Sequence, residues 1–299
     1  MKLLRWFVLG ITLFFLITTF RQHWQDVVAI QFQRSHLYYS AIALFLTLMA
    51  HVWSGVVWAS ILKFLQQPAA LVWVLPVYLQ TNLAKYIPGN VWHFYGRIRA
   101  MQTAGATLNI ATLVTLLEPL LMATAAVLIA MITLIQNGII EQNPFYEIFP
   151  FLFVGTILMA IHPRFLNPLL NLAGRFKKQT LTPDSPHIKH YPWQPLCGEI
   201  GFVMLRGSGF IVVMASFTDL TLPDFPLLLG AFSLSWFLGL VVPSPGGIGV
   251  FESSAIALLN ATFPPAILLS SLALFRLLSL SAEILAGALA WGFAVTNDQ

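Results

Sequence analysis

The sequence predicts an all-α polytopic membrane protein with about six full spans and two re-entrant hairpins, each broken at a Pro-Gly pair. Of the 299 residues, 58% are hydrophobic and only 9% are charged, and the mean hydropathy is +0.80. A soluble domain carries about 25% charged residues. The few charges in this sequence cannot cover a water-exposed surface. The apolar runs are continuous rather than alternating, which favours spanning helices over a β-barrel.

The apolar segments define the individual elements. Two shorter helices, 71–84 and 225–242, each run into a Pro-Gly break. The first span could be a signal peptide, but no small-x-small cleavage site precedes Arg21, which favours a retained helix. The single cysteine, Cys197, excludes disulfide frameworks and Cys-rich metal sites. Full spans are predicted at about 4–20, 37–64, 107–135, 146–161, 196–218 and 264–292.

The loop charges predict the orientation of the chain. The polar segment 162–194 is rich in Lys and Arg and is predicted to be a cytoplasmic loop, whereas 136–147 and 219–224 carry acids without Lys or Arg and are predicted outside. This assignment puts both termini in the cytoplasm. It also requires residues 71–103 and 225–261 each to begin and end on one side. The 14-residue arm 71–84 is shorter than the roughly 20 residues of a span, which favours a re-entrant hairpin over a double crossing.

The order of span, span, hairpin and span occurs twice within a single transmembrane domain, 1–299. The first repeat covers 1–135 and the second covers 146–292. Three crossings per repeat give the two repeats opposite orientations, the inverted plan of many secondary transporters. Irregular backbone at membrane depth is tolerated where it lines a polar cavity, so two such breaks predict a central polar cavity.

The helices that resume after the breaks are candidate anion sites. A helix start has unpaired N–H groups and a positive dipole end, which suit phosphate or carboxylate. The alternative is that each Pro-Gly pair only makes a tight turn. No Gly-Lys-Ser/Thr follows "PGGIG", so it is not a nucleotide-binding loop. The candidate substrate-binding residues at the breaks are Pro88, Gly89, Asn90, Pro245, Gly246 and Gly247.

Ionisable residues inside the apolar spans are a second group of candidates. Glu118, Arg206 and Arg276 each lie about ten to twelve residues into a span, where a charge costs at least about 2.5–3.5 kcal/mol. They must pair or face water. Glu283 is roughly 10 Å along the helix from Arg276, so it is predicted to pair with another helix. These residues are either structural ion pairs or parts of a head-group site or proton relay.

Three further charged residues lie beside the breaks. Glu252 falls in the first turn of the second half-helix, where it is either a cap or a site residue. Lys85 and Arg97 are candidate cavity residues, whereas Arg99 is expected to extend to the cytoplasmic interface.

No catalytic or metal-binding set is predicted. His51 and His93 have no metal partners near them in the sequence. "RGSGF" at 206–210 is similar to an intramembrane serine protease motif, but no later span supplies the histidine base that a serine needs. We therefore expect no catalytic residues, no metal and no cofactor.

"KYIPGNVWHFYGR" at 85–97 and "PSPGGIGVFESS" at 243–254 resemble the signature passages of the lysylphosphatidylglycerol synthase transmembrane-region family. The resemblance covers nearly the whole chain and depends on Pro88-Gly89-x-x-Trp92 and Pro245-Gly246-Gly247-x-Gly249-x-x-Glu252. It implies a flippase-like fold in a bacterial plasma membrane that acts on lipids or lipid-linked substrates. It does not imply synthase activity, because the family's aminoacyl-transferase domain is a separate soluble module that is not found in this sequence.

The function expected from these features is that of a flippase or transporter for an anionic phospholipid or lipid-linked phosphate, without ATP. The alternative is a non-catalytic accessory or scaffold subunit of a partner membrane synthase. A lipid-modifying enzyme would need a nucleophile–base pair that the sequence does not supply. The basic loops indicate orientation, not nucleic-acid binding.

Overall fold

The computed structural model of the chain describes residues 34–86, 91–136, 154–168, 188–242 and 244–297, together with residues 21, 25 and 152. These residues are mostly helical and include no strand. Short 3-10 turns lie at Leu83–Tyr86 and Pro245–Gly247, and residues 154–160 and 163–168 are also helical. The main helices are α1 (Arg34–Phe64), α2 (Leu71–Asn82), α3 (Trp92–Thr103), α4 (Leu108–Gln136), α5 (Trp193–Phe217), α6 (Asp224–Val241), α7 (Val250–Leu259) and α8 (Pro265–Asn297).

Five of these helices, α1, α4, α5, α6 and α8, are long and apolar enough to cross a membrane. The all-α class predicted from the sequence is therefore confirmed, and the five helices are consistent with a multi-pass membrane protein. Helix α6, which the sequence predicts as the short arm of a hairpin, has 18 residues and is one of the five. The predicted span 4–20 lies outside the described residues, and 146–161 is described only at 152 and from residue 154 onward.

Helices α1 and α5 pack closely and run in opposite directions. A Cβ atom on Gly198 would lie 2.9 Å from Val57 Cγ2, so the absence of a side chain allows this approach. At the other end of the pair, the rings of His36 and Phe217 meet edge to face with centroids 5.0 Å apart. Since early residues of α1 meet late residues of α5, the N-terminal end of α1 lies level with the C-terminal end of α5.

A second antiparallel pair is formed by α4 and α6. A Cβ atom on Gly230 would overlap the hydroxyl of Thr133, so the two backbones nearly touch there. Thr133 lies near the end of α4 and Gly230 near the start of α6. These two helix ends are therefore at the same level of the molecule.

The segments that follow α2 and α6, beside the two predicted breaks, meet each other. The turn Leu83–Tyr86, after α2, contacts the turn Pro245–Gly247, after α6. A Cβ atom on Gly246 would lie 3.0 Å from the ring of Tyr86. Gly246 and Gly247 have φ angles of 59° and 72°, a left-handed conformation that glycine adopts without strain. The predicted tip residues Pro88, Gly89 and Asn90 lie outside the described residues.

Candidate functional site

A cavity of about 190 Å³ lies where the two breaks meet, between α1, α4, α5 and α8. This is the polar cavity that the two breaks predict, and it collects side chains from both halves of the chain. Of the candidates proposed from the sequence, those on its wall are Lys85, Arg97, Glu118, Arg206, Gly246, Gly247 and Arg276.

Glu283 of α8 is surrounded by basic groups from other elements. Its Oε1 lies 2.5 Å from Lys85 Nζ, 3.4 Å from His51 Nε2 and 4.0 Å from Arg206 Nη2. The Glu283 side chain is only 1% exposed. As the sequence predicts, this carboxylate pairs outside its own helix, and the pair joins α8 to the break after α2.

Arg206 of α5 has no close carboxylate of its own among the described residues. Its Nη1 lies 2.8 Å from His51 Nε2. Because a guanidinium can only donate, this imidazole nitrogen accepts, so His51 is neutral with its proton on Nδ1. The guanidinium also lies 4.8 Å from the ring centroid of Trp236 and 5.8 Å from that of Phe275. Arg206 Nε finds no hydrogen-bond partner within the described part of the chain.

Arg97 and Glu118 form a buried ion pair on the cavity wall. Arg97 Nη1 donates to Glu118 Oε2, and the hydroxyl of Tyr78 donates to Glu118 Oε1 at 2.5 Å. The guanidinium stacks 3.9 Å from the Tyr78 ring centroid. The Tyr78 hydroxyl is also 2.7 Å from Ser54 Oγ. Both Glu118 oxygens are therefore satisfied, and the pair ties α2, α3 and α4 together.

Arg276 and Glu252 form a third pair beside the second break. Arg276 Nε donates to Glu252 Oε1 at 2.6 Å, and its Nη1 donates to the Gly246 carbonyl at 3.3 Å. The other Glu252 oxygen accepts the Gly249 N–H at 2.7 Å, which caps α7. The Glu252 carboxylate therefore takes up one of the N–H groups at the start of α7 that the sequence predicts to be free for an anion. Arg276, and not that N–H group, faces the cavity.

The remaining candidates lie behind the wall or outside the described residues. Glu252 and Glu283 hold wall residues in place without lining the cavity. Pro245 begins the 3-10 turn after α6. Arg99 is exposed, in keeping with the sequence expectation.

Several wall residues were not proposed from the sequence as part of the site. His51 is an ionisable residue midway along a predicted span, a position that by itself indicates a functional or paired group. Glu199, which is fully buried and does not line the cavity, carries the same signal because it is an acid inside the predicted span 196–218. The others carry no such signal, since Tyr, Trp and Ser are common in membrane helices. The additional wall residues that contact the ion pairs or Arg206 are His51, Ser54, Tyr78, Asn82, Trp236 and Phe275.

The described residues contain no group of three or more His, Cys, Asp or Glu side chains that could hold a metal ion. No protein-family model matches the chain, and no curated protein matches it either. The resemblance of the two Pro-Gly passages to a known family stays a prediction.

Proposed function

We propose that this chain is a flippase-like transporter that moves an anionic lipid or lipid-linked phosphate without ATP. The observation that carries the proposal is the charge of the cavity. Four cationic side chains lie on the described wall, and three carboxylates pair with them, which leaves one positive charge in excess. An anionic head group would supply the missing negative charge.

Arg206 is the residue where this excess charge lies. Its closest carboxylate is 4.0 Å away and is already bound by Lys85 at 2.5 Å. A planar guanidinium with a free N–H matches the oxygen geometry of a phosphate. Arg206 is therefore the residue we expect to bind the head group.

The size and exposure of the cavity suit a head group rather than a whole lipid. Sites that enclose a drug-sized ligand measure about 300–1,000 Å³, whereas this cavity measures about 190 Å³. Arg276 is 26% exposed and Lys85 18%, while Arg206 is only 3% exposed. An anion would thus meet Arg276 and Lys85 before Arg206, with its apolar chains left in the bilayer.

The proposed arrangement in the membrane follows the charges of the loops. We infer that residues 71–103 and 225–261 are re-entrant hairpins of an inverted repeat with six full spans in a bacterial plasma membrane, with both termini cytoplasmic. The level of the break after α2 supports this, because Lys85 binds the same Glu283 oxygen that lies near His51 and Arg206, which are midway along α1 and α5.

The test is lipid movement by the purified protein alone. We would reconstitute it in phosphatidylcholine vesicles that contain a minority of phosphatidylglycerol and a trace of fluorescent phosphatidylglycerol, and measure quenching by an impermeant reductant. The wild type should expose the inner-leaflet probe, Arg206→Gln should not, and the matched control Arg164→Gln, at an exposed position, should match the wild type. Fluorescent phosphatidylcholine, which carries no net charge, should stay in its leaflet.

The accessory-subunit alternative predicts a different result in the same assay. A scaffold subunit would leave the probe in place on its own while co-purifying with a membrane synthase. Inactivity of a folded wild-type protein with every anionic probe would overturn the transport proposal.

A further inference from the structure

Glu199 of α5 is a buried acid that takes no part in the three ion pairs of the cavity. None of its side chain is exposed, and neither carboxyl oxygen has a hydrogen-bond partner among the described residues. A carboxylate removed from water without a partner is strongly disfavoured, so such a group takes up a proton. Glu199 is therefore protonated in this conformation.

The surroundings of Glu199 contain one cation and a competing acid. The charged groups that act on it are Glu118 of α4 and Arg97 of α3, and Tyr78 of α2 is also close enough to interact. The titratable groups on α1 and α8, His51 and Glu283, lie near Arg206. Arg206 is seven residues after Glu199, or about 10 Å further along α5. Since Arg97 already pairs with Glu118, this single cation neutralises one of the two carboxyls, and the other holds a proton.

A hydrogen-bonded chain leads from the cavity to Glu118, and Glu199 itself makes no hydrogen bond to that chain. Ser54, Tyr78 and Glu118 all line the wall. Ser54 Oγ lies 2.7 Å from the Tyr78 hydroxyl, and that hydroxyl lies 2.5 Å from Glu118 Oε1. Hydroxyl groups that both donate and accept can pass a proton between cavity water and Glu118, the acid that shares the charge of Arg97 with Glu199.

An anion in the cavity would strengthen proton binding at this pair. A negative head group near Arg97 disfavours a second negative charge on Glu199. If the head group draws Arg97 away from Glu118, that carboxylate must also be neutralised. Coupling of this kind is reciprocal, so the proton favours the anion as much as the anion favours the proton.

We propose that Glu199 carries a proton that crosses the membrane together with the anionic head group, so that the protein is a proton–anion cotransporter. This inference rests on the proposed transport function. With one proton per singly charged anion the step is electroneutral: no bond other than O–H forms or breaks, and the proton leaves with the anion on the opposite side. The distribution of the anionic lipid between the two leaflets should therefore depend on the pH gradient and not on the membrane potential.

The experiment measures the final distribution of fluorescent phosphatidylglycerol between leaflets under an imposed pH gradient. Because one pH unit corresponds to 1.36 kcal/mol, coupling to one proton should enrich the probe about tenfold in the alkaline leaflet per unit. A potassium diffusion potential without a pH gradient should leave the two leaflets equal. The matched carboxyl-to-amide control is Asp219→Asn, at an exposed position between α5 and α6, and it should behave as the wild type.

Glu199→Gln keeps the shape of a protonated carboxyl but cannot release a proton. It should either equalise the probe between leaflets or stop its movement, and Glu199→Asp should restore enrichment in the alkaline leaflet. Enrichment that persists in Glu199→Gln would overturn the inference. A wild type that moves the probe but leaves it equally distributed would also overturn it while leaving the transport function intact. A wild type that moves no probe overturns both.

Infrared spectroscopy tests the proton itself without any transport. The purified wild type should show the carbonyl stretch of a protonated, weakly hydrogen-bonded carboxyl, which is lost in Glu199→Gln and shifted in Glu199→Asp. If Glu199→Gln fails to fold, the wild type and Glu199→Asp still decide the question. A wild-type spectrum without this carbonyl band would overturn the inference.

Discussion

Arg206 combines a buried charge with an incomplete set of partners. Aromatic rings and a neutral imidazole surround its guanidinium. The closest carboxylate, that of Glu283, is already paired with Lys85. A cation over an aromatic face gains about 2 kcal/mol or more when it is desolvated, which offsets part of the cost of burial. The remaining cost is what an incoming anion would relieve.

Replacing Arg206 by Ala should slow lipid movement about tenfold or more while the protein stays folded. Glu283 keeps Lys85 at 2.5 Å, so no carboxylate is stranded. The lost charge-assisted hydrogen bond, about 1.5–3 kcal/mol, corresponds to a rate decrease of about tenfold or more. The measurement is the initial quenching rate of the fluorescent anionic lipid, with the melting temperature in detergent recorded in parallel.

Arg276→Ala should slow lipid movement to a similar extent, because it removes a second cation from the cavity wall. The variant should stay folded, since Glu252 would still cap α7 through the Gly249 N–H. Arg164→Ala, at an exposed position, is the matched control. If both cavity variants are unfolded, the arginines are structural ion-pair partners. If both move lipid at the wild-type rate, neither arginine takes part in transport.

The pair of Arg97 and Glu118 should behave differently because each partner depends on the other. Glu118→Leu strands a buried guanidinium, and Arg97→Met strands a buried carboxylate, each at a cost of about 3–5 kcal/mol. The double variant removes both charges and should recover most of that stability. Chemical unfolding of the two single variants and the double variant gives the coupling energy, and additive losses would mean that the pair does not stabilise the fold.

At the residue scale, the sequence identifies the charges but not how they are paired. Glu118, Arg206 and Arg276 stand out because a charge inside an apolar span needs a partner. Which partner each takes depends on how the helices pack, and so Lys85 with Glu283, 198 residues apart in the chain, cannot be inferred from spacing. Tyr78, which holds Glu118, carries no sequence signal because it is an ordinary interior residue.

Among the elements, the two breaks were predictable because proline and glycine interrupt helices for local reasons. The sequence leaves open whether Glu252 is a cap or a site residue, and in the structure its carboxylate accepts the Gly249 N–H. The predicted helix 225–242 matches α6 (Asp224–Val241) within one residue, but 18 residues are close to the minimum for a span, so its length does not decide between a hairpin arm and a full span. Both features depend on the surroundings, and local composition does not determine them.

Gly246→Val should impair lipid movement without unfolding the protein. The added Cβ would lie 3.0 Å from the Tyr86 ring, and the φ of 59° is strained for a β-branched residue. That strain costs about 1–3 kcal/mol, which a multispan protein tolerates, while the contact between the two breaks is displaced. Lipid movement and thermal stability should be measured together.

Two further variants sharpen the test of the breaks. Gly155→Val is the matched control, because a Cβ atom at Gly155 meets no atom within 4 Å. Gly89→Val, at the other predicted tip, should cause a comparable defect if both halves contribute to one cavity. A wild-type rate in both tip variants would show that the tips only connect helices, and the site would then belong to the arginine-bearing spans alone.

For the whole molecule, helix directions limit the possible topology. Helices α1 and α5 are antiparallel, and so are α4 and α6. Thr133 meets Gly230, and α4 ends at Gln136 while α6 begins at Asp224. These two helix ends therefore lie on one side of the molecule, the side that the loop charges predict to be outside.

Cysteine labelling tests this arrangement in intact cells. In a Cys197→Ala background, needed because the native cysteine is exposed, cysteines at Asn137 and at Leu222 should react with an impermeant thiol reagent. A cysteine at Thr180, in the basic loop that the charges predict to be cytoplasmic, should react only after the cells are permeabilised. Leu222 is 86% exposed, so a cysteine there reports sidedness and not burial. Since α4 ends beside the start of α6, the two outer positions must label together. Labelling of Thr180 with protection of Asn137 and Leu222 would reverse the orientation, and labelling of one outer position without the other would exclude the inverted repeat.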